Sequence, residues 1–174
     1  MDASQSSSNA LLTRIGAERL PPAMVAAGIA VLVAITGGLL TNVGPWYRAL
    51  AKSPLNPPDW VFAPAWTVIY GLCVAAGVIA WKNARTARAK RIVFWLFIAN
   101  AVLNVAWSGL FFTMQRPDWA LIEVATLWAS VAGLMIYFRE FAIRASILLT
   151  PYLIWVAFAA HLNYAVVQMN GPFG

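Results

Sequence analysis

Charged residues and the usual equipment of catalysis are scarce in this chain. Asp, Glu, Lys and Arg make up only 10% of its 174 residues, whereas soluble domains carry about 25%. There is one histidine, His161, and one cysteine, Cys73, so an intramolecular disulfide and any multi-cysteine metal site are excluded. No Walker loop, dinucleotide-binding glycine fingerprint or metal-ligand spacing is present. We therefore expect no conventional hydrolase, kinase or metalloenzyme chemistry, no metal and no required cofactor.

Long apolar runs dominate what is there. Hydrophobic residues account for 61% of the chain, and the mean hydropathy is +0.72. A helix of about 20 apolar residues crosses the hydrocarbon layer of a bilayer, and five runs reach that length. The sequence predicts an all-α integral membrane protein, a five-transmembrane-helix bundle with spans at about 24–41, 60–81, 92–114, 119–138 and 143–169.

These spans form one predicted membrane domain, residues 23–170. A polar, serine-rich N-terminal segment, residues 1–22, precedes it and is expected to lie on the surface or to be disordered. The connection at 43–59 is the only sizeable loop between predicted spans. We therefore expect no soluble catalytic domain.

The basic residues are distributed unequally between the two sides of the predicted bundle. One side has nine of them: Arg14, Arg19, Lys82, Arg85, Arg88, Lys90, Arg91, Arg139 and Arg144. The other side has three: Arg48, Lys52 and Arg116. Because Lys and Arg concentrate in cytoplasmic loops, we expect a cytoplasmic N-terminus in a bacterial inner membrane. Basic residues confined to such loops explain the net charge of +6 without nucleic-acid binding, which we do not expect.

Two side-chain amides interrupt the third apolar run. Asn100, Asn104 and, three residues later, Trp107 share one helix face. An amide in hydrocarbon is costly without a hydrogen bond, so this face is expected to point into the bundle. Two roles stay open, hydrogen bonding between helices and polar contact with a ligand, and they are compatible.

Aromatic residues mark faces on two further spans. The second span carries one at every fourth position: Phe62, Trp66 and Tyr70. The fifth span has a comparable face that follows a proline expected to bend the helix: Pro151, Tyr152, Trp155, Ala159 and Asn163. A bend makes room between helices, and aromatic walls suit a flat, conjugated ligand.

Eight of the nine tryptophans fall into two groups by depth. Four lie near predicted span ends, as in an interfacial aromatic belt: Trp46, Trp60, Trp81 and Trp119. Four lie deeper and require either core packing or a ligand cavity: Trp66, Trp107, Trp128 and Trp155.

Two ionisable residues lie within predicted spans. We expect Glu123 to be a snorkelling or paired interfacial carboxylate rather than a proton relay, and His161 to make a structural hydrogen bond rather than to ligate haem.

Small residues recur every fourth position on the first span: Ala26, Ala30, Ala34 and Gly38. Such a stripe lets helices approach closely. It is compatible with packing inside the bundle or with a dimer face, and we favour the former.

Three ordered motifs resemble the tryptophan-rich sensory protein family, also known as the translocator protein or peripheral-type benzodiazepine receptor family. The first is Pro45-Trp46-Tyr47, Leu50 and Lys52, followed by the stretch from Asn56 to Thr67 and by Tyr70. The second is Asn100-x3-Asn104-x2-Trp107 with Phe111-Phe112. The third runs from Pro151 to Trp155 and on through Phe158-Ala159, Leu162-Asn163-Tyr164 and Asn170. The resemblance covers roughly residues 24–170.

The resemblance implies a five-helix bundle, often a homodimer, in which loop 43–59 caps a pocket inside the bundle. That pocket accepts porphyrins, so protoporphyrin IX or haem is the expected ligand, together with other hydrophobic small molecules. The ligand-binding residues expected here are Trp46, Phe62, Trp66, Tyr70, Asn100, Asn104, Trp107, Trp155, Ala159 and Asn163. In bacterial members two pocket tryptophans take part in light- and oxygen-dependent porphyrin degradation, and they match Trp66 and Trp155.

Three positions depart from the family pattern. Lys52-Ser53-Pro54-Leu55 stands where the family commonly has Lys-Pro-x-Trp, so an aromatic residue of the lid is absent. Tyr164 is not followed within five positions by a basic residue, which breaks the cholesterol-recognition pattern, so we expect no specific cholesterol binding. His161 replaces a small or hydroxyl residue.

Three functions follow as alternatives. The first is porphyrin binding with a role in tetrapyrrole sensing, transport or disposal, and it ranks first because no general acid, base or metal site is visible. The second is enzymatic, light- and oxygen-dependent degradation of the porphyrin. The third is a membrane assembly protein that binds lipid and no longer uses its pocket.

Overall fold

Long apolar helices make up most of the structure, a computed structural model that describes residues 21–173. Five segments are long and apolar enough to cross a membrane. They contain the helices α1 (Pro22–Leu40), α3 (Phe62–Asn83), α4 (Ala87–Ser108), α5 (Pro117–Arg139) and α7 (Thr150–Asn170). Two short helices complete the set, α2 (Pro45–Ala49) in the first loop and α6 (Ile143–Leu148) just before α7. The predicted all-α bundle of five transmembrane helices is confirmed. The polar segment predicted at 1–22 lies outside the described residues except for Pro21 and Pro22.

Local chemistry sets where several helices begin. The hydroxyl oxygen of Thr86 accepts a hydrogen bond of 3.1 Å from the amide of Ala89, which caps α4. This helix therefore begins at Ala87, whereas the apolar run alone predicted a span from residue 92. Proline occupies the first turn of α1, α2, α5 and α7, where its missing N–H costs no intrahelical bond. In the last span the helix is interrupted at Leu149, between α6 and α7. The sequence predicted a bend at Pro151, two residues later.

Contacts between the helices define the order of the bundle. Helix α1 packs against α3 and α4, and α5 packs against α4 and α7. The short helix α6 closes the ring by contacting both α3 and α5. A core cluster that includes Leu134, Phe138 and Leu149 fills the space where α3, α4, α5 and α6 meet.

The two ends of the bundle differ in charge and in covering. The basic end is the one that carries Lys82, Arg85, Arg88, Lys90, Arg91, Arg139 and Arg144. The loop end carries α2, the loop to Asp59 and the end of α7. Helix α4 reaches the loop end through a π-helical turn, Gly109–Thr113, and the chain then reverses at Gln115, whose φ of 54° is left-handed.

The first loop is tied to the end of α7. The amide N–H of Ala51 donates to the side-chain oxygen of Asn170 over 2.8 Å, and the Asn170 amide nitrogen donates to the Ala51 carbonyl over 2.9 Å. Lys52 donates to the carbonyl of Tyr47 over 2.7 Å. Burial and the neighbouring Asp59 carboxylate raise the pKa of Tyr47, so this phenol stays protonated. The two bonds between Ala51 and Asn170 anchor the first loop to the end of α7, and the Lys52 bond holds the loop together internally.

Several side chains lie where the sequence did not predict them. Trp128 is 41% exposed on the outer face of α5, so this deep indole belongs neither to the core nor to a cavity. Glu123 is not paired with Arg116, because Arg116 forms an ion pair with Asp118. Both Glu123 carboxylate oxygens are buried and have no hydrogen-bond partner among the described residues. His161 is exposed on α7 and makes no hydrogen bond within residues 21–173.

Candidate ligand-binding site

A cavity of about 500 Å³ lies between α1, α3 and α4. It extends from the basic end to the middle of the bundle, and its volume is within the range of small-molecule pockets, roughly 300–1,000 Å³. Most of its lining is apolar and comes from three helices: Val25, Ala26, Ile29, Ala30 and Val33 of α1, Cys73, Val74, Gly77 and Trp81 of α3, and Val93, Phe94, Phe97 and Ala101 of α4. The polar lining residues are Lys90, Tyr70, Asn100, Asn104 and Tyr152.

A chain of hydrogen bonds forms the inner wall of this cavity. The Tyr70 hydroxyl donates to Asn104 Oδ1 over 3.0 Å, and Asn104 Nδ2 donates to the Tyr152 hydroxyl over 3.1 Å. The Tyr152 hydroxyl in turn donates to Asn100 Oδ1 over 3.1 Å, and Asn100 Nδ2 donates to Ser130 Oγ over 2.8 Å. We call Tyr70, Asn100, Asn104, Tyr152 and Ser130 the phenol–amide chain. It connects four helices, so the predicted role of the two asparagines as interhelical hydrogen-bonding groups is realised.

The phenol–amide chain does not use all the hydrogen-bonding capacity of its members. A side-chain amide offers two N–H donors and two lone pairs. Asn100 and Asn104 each donate one bond and accept one within the chain, so each keeps one donor and one acceptor. Because both residues line the cavity, a neutral polar group of a ligand could bind there without breaking the interhelical bonds.

An aromatic cluster lies behind the phenol–amide chain. The Trp66 indole stacks on the Tyr70 ring at a centroid distance of 5.4 Å and meets the Tyr152 ring edge-on at 6.1 Å. Trp155 is 6.4 Å from Trp66, and Phe62 is 5.9 Å from Trp155, both edge-on. Two rings, Tyr70 and Tyr152, contact Trp66 and also line the cavity, so Trp66 is separated from the cavity by a single layer of aromatic side chains.

A third group of residues joins helices at the loop end. The Trp107 indole donates to Asn163 Oδ1 over 3.2 Å, and Asn163 Nδ2 donates to the Pro117 carbonyl over 2.7 Å. The Trp107 ring stacks on Phe111 at 5.3 Å, and Trp46 meets Phe111 edge-on at 6.1 Å. Asn163, only 1% exposed, thus uses its amide to connect α4, α5 and α7.

Nine of the ten predicted ligand-binding residues are therefore divided among three places. Three of them line the cavity: Tyr70, Asn100 and Asn104. Three pack in the aromatic cluster behind it: Phe62, Trp66 and Trp155. Trp46, Trp107 and Asn163 lie at the loop end, and Ala159 is half-buried on α7 outside the cavity lining. The structure does not bring Asn163 or the two cluster tryptophans to the same cavity surface as Asn100 and Asn104.

Sequence reasoning missed the part of the site near the basic end. Lys90, Val93 and Phe97 line the cavity with Asn100, at positions i, i+3, i+7 and i+10 of α4. This spacing places them on one helix face and was readable once Asn100 was recognised as inward-facing. On α1, Ala26 and Ala30 of the small-residue stripe line the cavity, whereas Ala34 and Gly38 are exposed. The first half of the stripe therefore provides space between helices instead of close contact between them.

Comparison with known proteins identifies the family. The profile of the TspO/MBR family matches residues 25–169. The tryptophan-rich protein TspO of Chlorobaculum tepidum is 36% identical over 148 residues, covering 82% of this chain and 92% of that protein. The tryptophan-rich sensory protein of Cereibacter sphaeroides is 35% identical over 135 residues, covering 78% and 83%, and the translocator protein of Ovis aries is 34% identical over 126 residues, covering 72% and 75%. This integral membrane protein therefore belongs to the TspO/MBR family, as its sequence motifs predicted.

Proposed function

We propose that this protein binds protoporphyrin IX, or a similar porphyrin, in the cavity between α1, α3 and α4. The observation that carries the proposal is an apolar cavity of about 500 Å³ whose inner wall is the phenol–amide chain. Pockets for cofactor-sized ligands combine mostly apolar walls with a few polar groups that orient the ligand. Tetrapyrrole sensing, transport or disposal are the roles that such binding would serve.

The chemistry of the lining supports a large conjugated ligand. Aromatic rings of Tyr70, Trp81, Phe94 and Phe97 border the cavity, and aromatic rings favour stacked or edge-on contacts with other π systems. The unused donors and acceptors of Asn100 and Asn104 could bind polar atoms of a macrocycle.

Titration with protoporphyrin IX in the dark tests the proposal. We expect saturable quenching of tryptophan fluorescence and a shift in the porphyrin absorption spectrum for the purified protein. Ala101→Phe places a ring in the cavity lining and should weaken binding about tenfold or more, because an overfilled site costs roughly 1–3 kcal/mol. Ala125→Phe is the matched control, since Ala125 is exposed on α5 and does not line the cavity.

Two results would contradict this assignment. Equal loss of affinity in the two variants would mean that the ligand does not occupy the cavity. Absence of quenching in the wild-type protein would remove porphyrin binding altogether and favour the lipid-binding assembly role.

A second function, light- and oxygen-dependent degradation of the bound porphyrin, is favoured by one contact. Trp66 stacks on Tyr70, and Tyr70 lines the cavity, so an easily oxidised indole lies one ring away from the proposed ligand. In this proposal the illuminated porphyrin and molecular oxygen supply the oxidising chemistry, and Trp66 and Trp155 are the candidate redox residues.

We also propose that the basic end faces the cytoplasm and that the protein resides in a bacterial inner membrane. Seven of the described basic residues lie at this end, as expected for cytoplasmic loops. Single cysteines introduced by Leu55→Cys and Arg85→Cys, both exposed positions, in a Cys73→Ala background test the orientation. In spheroplasts a membrane-impermeant maleimide should label the first variant and should label the second only after lysis. The reverse pattern would invert the topology.

A further inference from the structure

We propose that the cavity selects amphipathic carboxylates and that Lys90 binds their carboxylate at the basic end. The ligand class comprises molecules with an apolar ring system or chain that fills the cavity and an acid group that reaches its mouth. Porphyrin propionates and long-chain fatty acids both belong to this class. The porphyrin part of the inference rests on the proposed function, whereas the fatty-acid part does not.

Lys90 is positioned to serve the cavity. It lies in the first turns of α4, is half-buried, and lines the cavity together with Val93 and Phe97 further along the same face. Its ammonium nitrogen lies 5.6 Å from the centre of the Trp81 ring, and Trp81 lines the cavity too. A cation over an indole face is held in place while keeping its hydrogen-bond donors available to another partner.

No protein carboxylate neutralises Lys90 in the described part of the chain. The one ion pair within residues 21–173 joins Arg116 and Asp118, at the loop end. Among those residues Glu140 is the only acidic side chain at the basic end, and it forms no ion pair. Lys82, Arg85, Arg88 and Arg91 add positive charge at the same end of the bundle, and such clusters attract anions. A half-buried ammonium in this setting favours an anionic ligand group.

The two ends of the cavity differ in the polar group that they can accept. At the inner end the phenol–amide chain offers uncharged donors and acceptors in a buried setting, where an anion would lose its hydration without a cation in return. At the outer end the ammonium group gives a charge-assisted hydrogen bond to a carboxylate, which is stronger than a neutral one. Between them Ile29, Val33 and Phe97 provide apolar walls. This polarity orients an amphipathic acid with its carboxylate toward Lys90.

Binding of protoporphyrin IX and of its dimethyl ester to the full-length protein in the dark tests the inference. The ester keeps the macrocycle and removes both charges. We expect the wild-type protein to bind the acid about tenfold more tightly than the ester, the ratio for one charge-assisted hydrogen bond. Lys90→Met should abolish this preference by weakening acid binding alone, and Lys90→Arg should restore it. Lys82→Met is the matched control, because Lys82 is exposed at the same end and does not line the cavity.

A fluorescent fatty acid, cis-parinaric acid, and its methyl ester provide the second arm. We expect the same preference for the acid and the same dependence on Lys90. Equal binding of acid and ester by the wild-type protein in both arms would overturn the inference, as would equal effects of Lys82→Met and Lys90→Met. If neither porphyrin binds but parinaric acid binds through Lys90, the proposed porphyrin function fails and the inference stands. If both porphyrins bind equally well and parinaric acid does not bind, the inference fails and the proposed function stands.

Discussion

Trp66→Phe is expected to slow the light-driven loss of bound protoporphyrin IX roughly tenfold, which corresponds to about 1.4 kcal/mol in an activation barrier. Trp66 stacks on Tyr70 at 5.4 Å, and Tyr70 borders the proposed ligand. Phenylalanine keeps most of the ring packing but is much harder to oxidise than indole. Dark affinity should stay within about threefold, because Trp66 does not line the cavity.

Trp155 lies one ring further away, 6.4 Å from Trp66, so Trp155→Phe alone should have the smaller effect. The double variant should lose at least as much rate as Trp66→Phe. The measurement is the decay of the porphyrin absorption bands under constant illumination and oxygen, corrected for the decay of free porphyrin. Trp128→Phe is the matched control, because this indole is exposed on α5 and away from the cluster.

The photochemical role is wrong if the double variant degrades bound porphyrin at the wild-type rate. Binding would then remain the proposed function, because the cavity itself does not depend on either indole. A large loss of dark affinity in Trp66→Phe would instead place the ligand against Trp66, beyond the phenol–amide chain.

Asn163→Leu is expected to destabilise the bundle by about 2 kcal/mol, among the largest stability effects of a single substitution near the site. Leucine has a similar size but leaves the Trp107 indole N–H without its acceptor and removes the bond to the Pro117 carbonyl. The bond to Pro117 is buried and the bond to Trp107 is partly buried, so water replaces the lost partners only incompletely. The apparent melting temperature in detergent should fall by roughly 4–8 °C.

Gln168→Leu is the control for this substitution. It also exchanges an amide for an apolar side chain on α7, but Gln168 is exposed and has no side-chain hydrogen bond within the described residues. A double-mutant cycle with Trp107→Phe sharpens the test. Trp107→Phe removes the indole N–H that donates to Asn163. The losses of stability in the two single variants should therefore be less than additive in the double variant. Full additivity, or equal destabilisation by Gln168→Leu, would show that the Trp107–Asn163 bond contributes little.

Short-range spacing predicted some parts of the site well. Trp66 and Tyr70 are four residues apart, and the structure stacks their rings. Asn100 and Asn104 were expected to face inward because amides in hydrocarbon need partners, and both are 6% exposed and bonded to Tyr152. In each case the helical repeat sets the geometry within one element, so the sequence contains the information.

Pairings between helices were much less predictable. Trp107 shares a face with Asn104, but it bonds to Asn163 at the loop end rather than joining the cavity. Lys90 was counted only as a charge that sets topology, although it lines the cavity. Trp128 was expected inside and is exposed. The spacing to Asn100 places Lys90 on the inward face of α4, but nothing local to α4 or α5 decides the positions of Trp107 and Trp128, because each depends on which helix lies opposite.

The sequence by itself determined that this chain is a five-helix membrane protein, since the length and apolar character of each run are set by the thickness of a bilayer. Its three ordered motifs predicted the TspO/MBR family by resemblance. Only the tertiary structure decided that the cavity lies between α1, α3 and α4, with Lys90 at its mouth and the cluster tryptophans behind the phenol–amide chain. The physical reason is that lipid is as apolar as the interior of a helix bundle, so hydrophobicity does not mark which face of a membrane helix is buried. Packing and hydrogen bonds between distant residues make that choice.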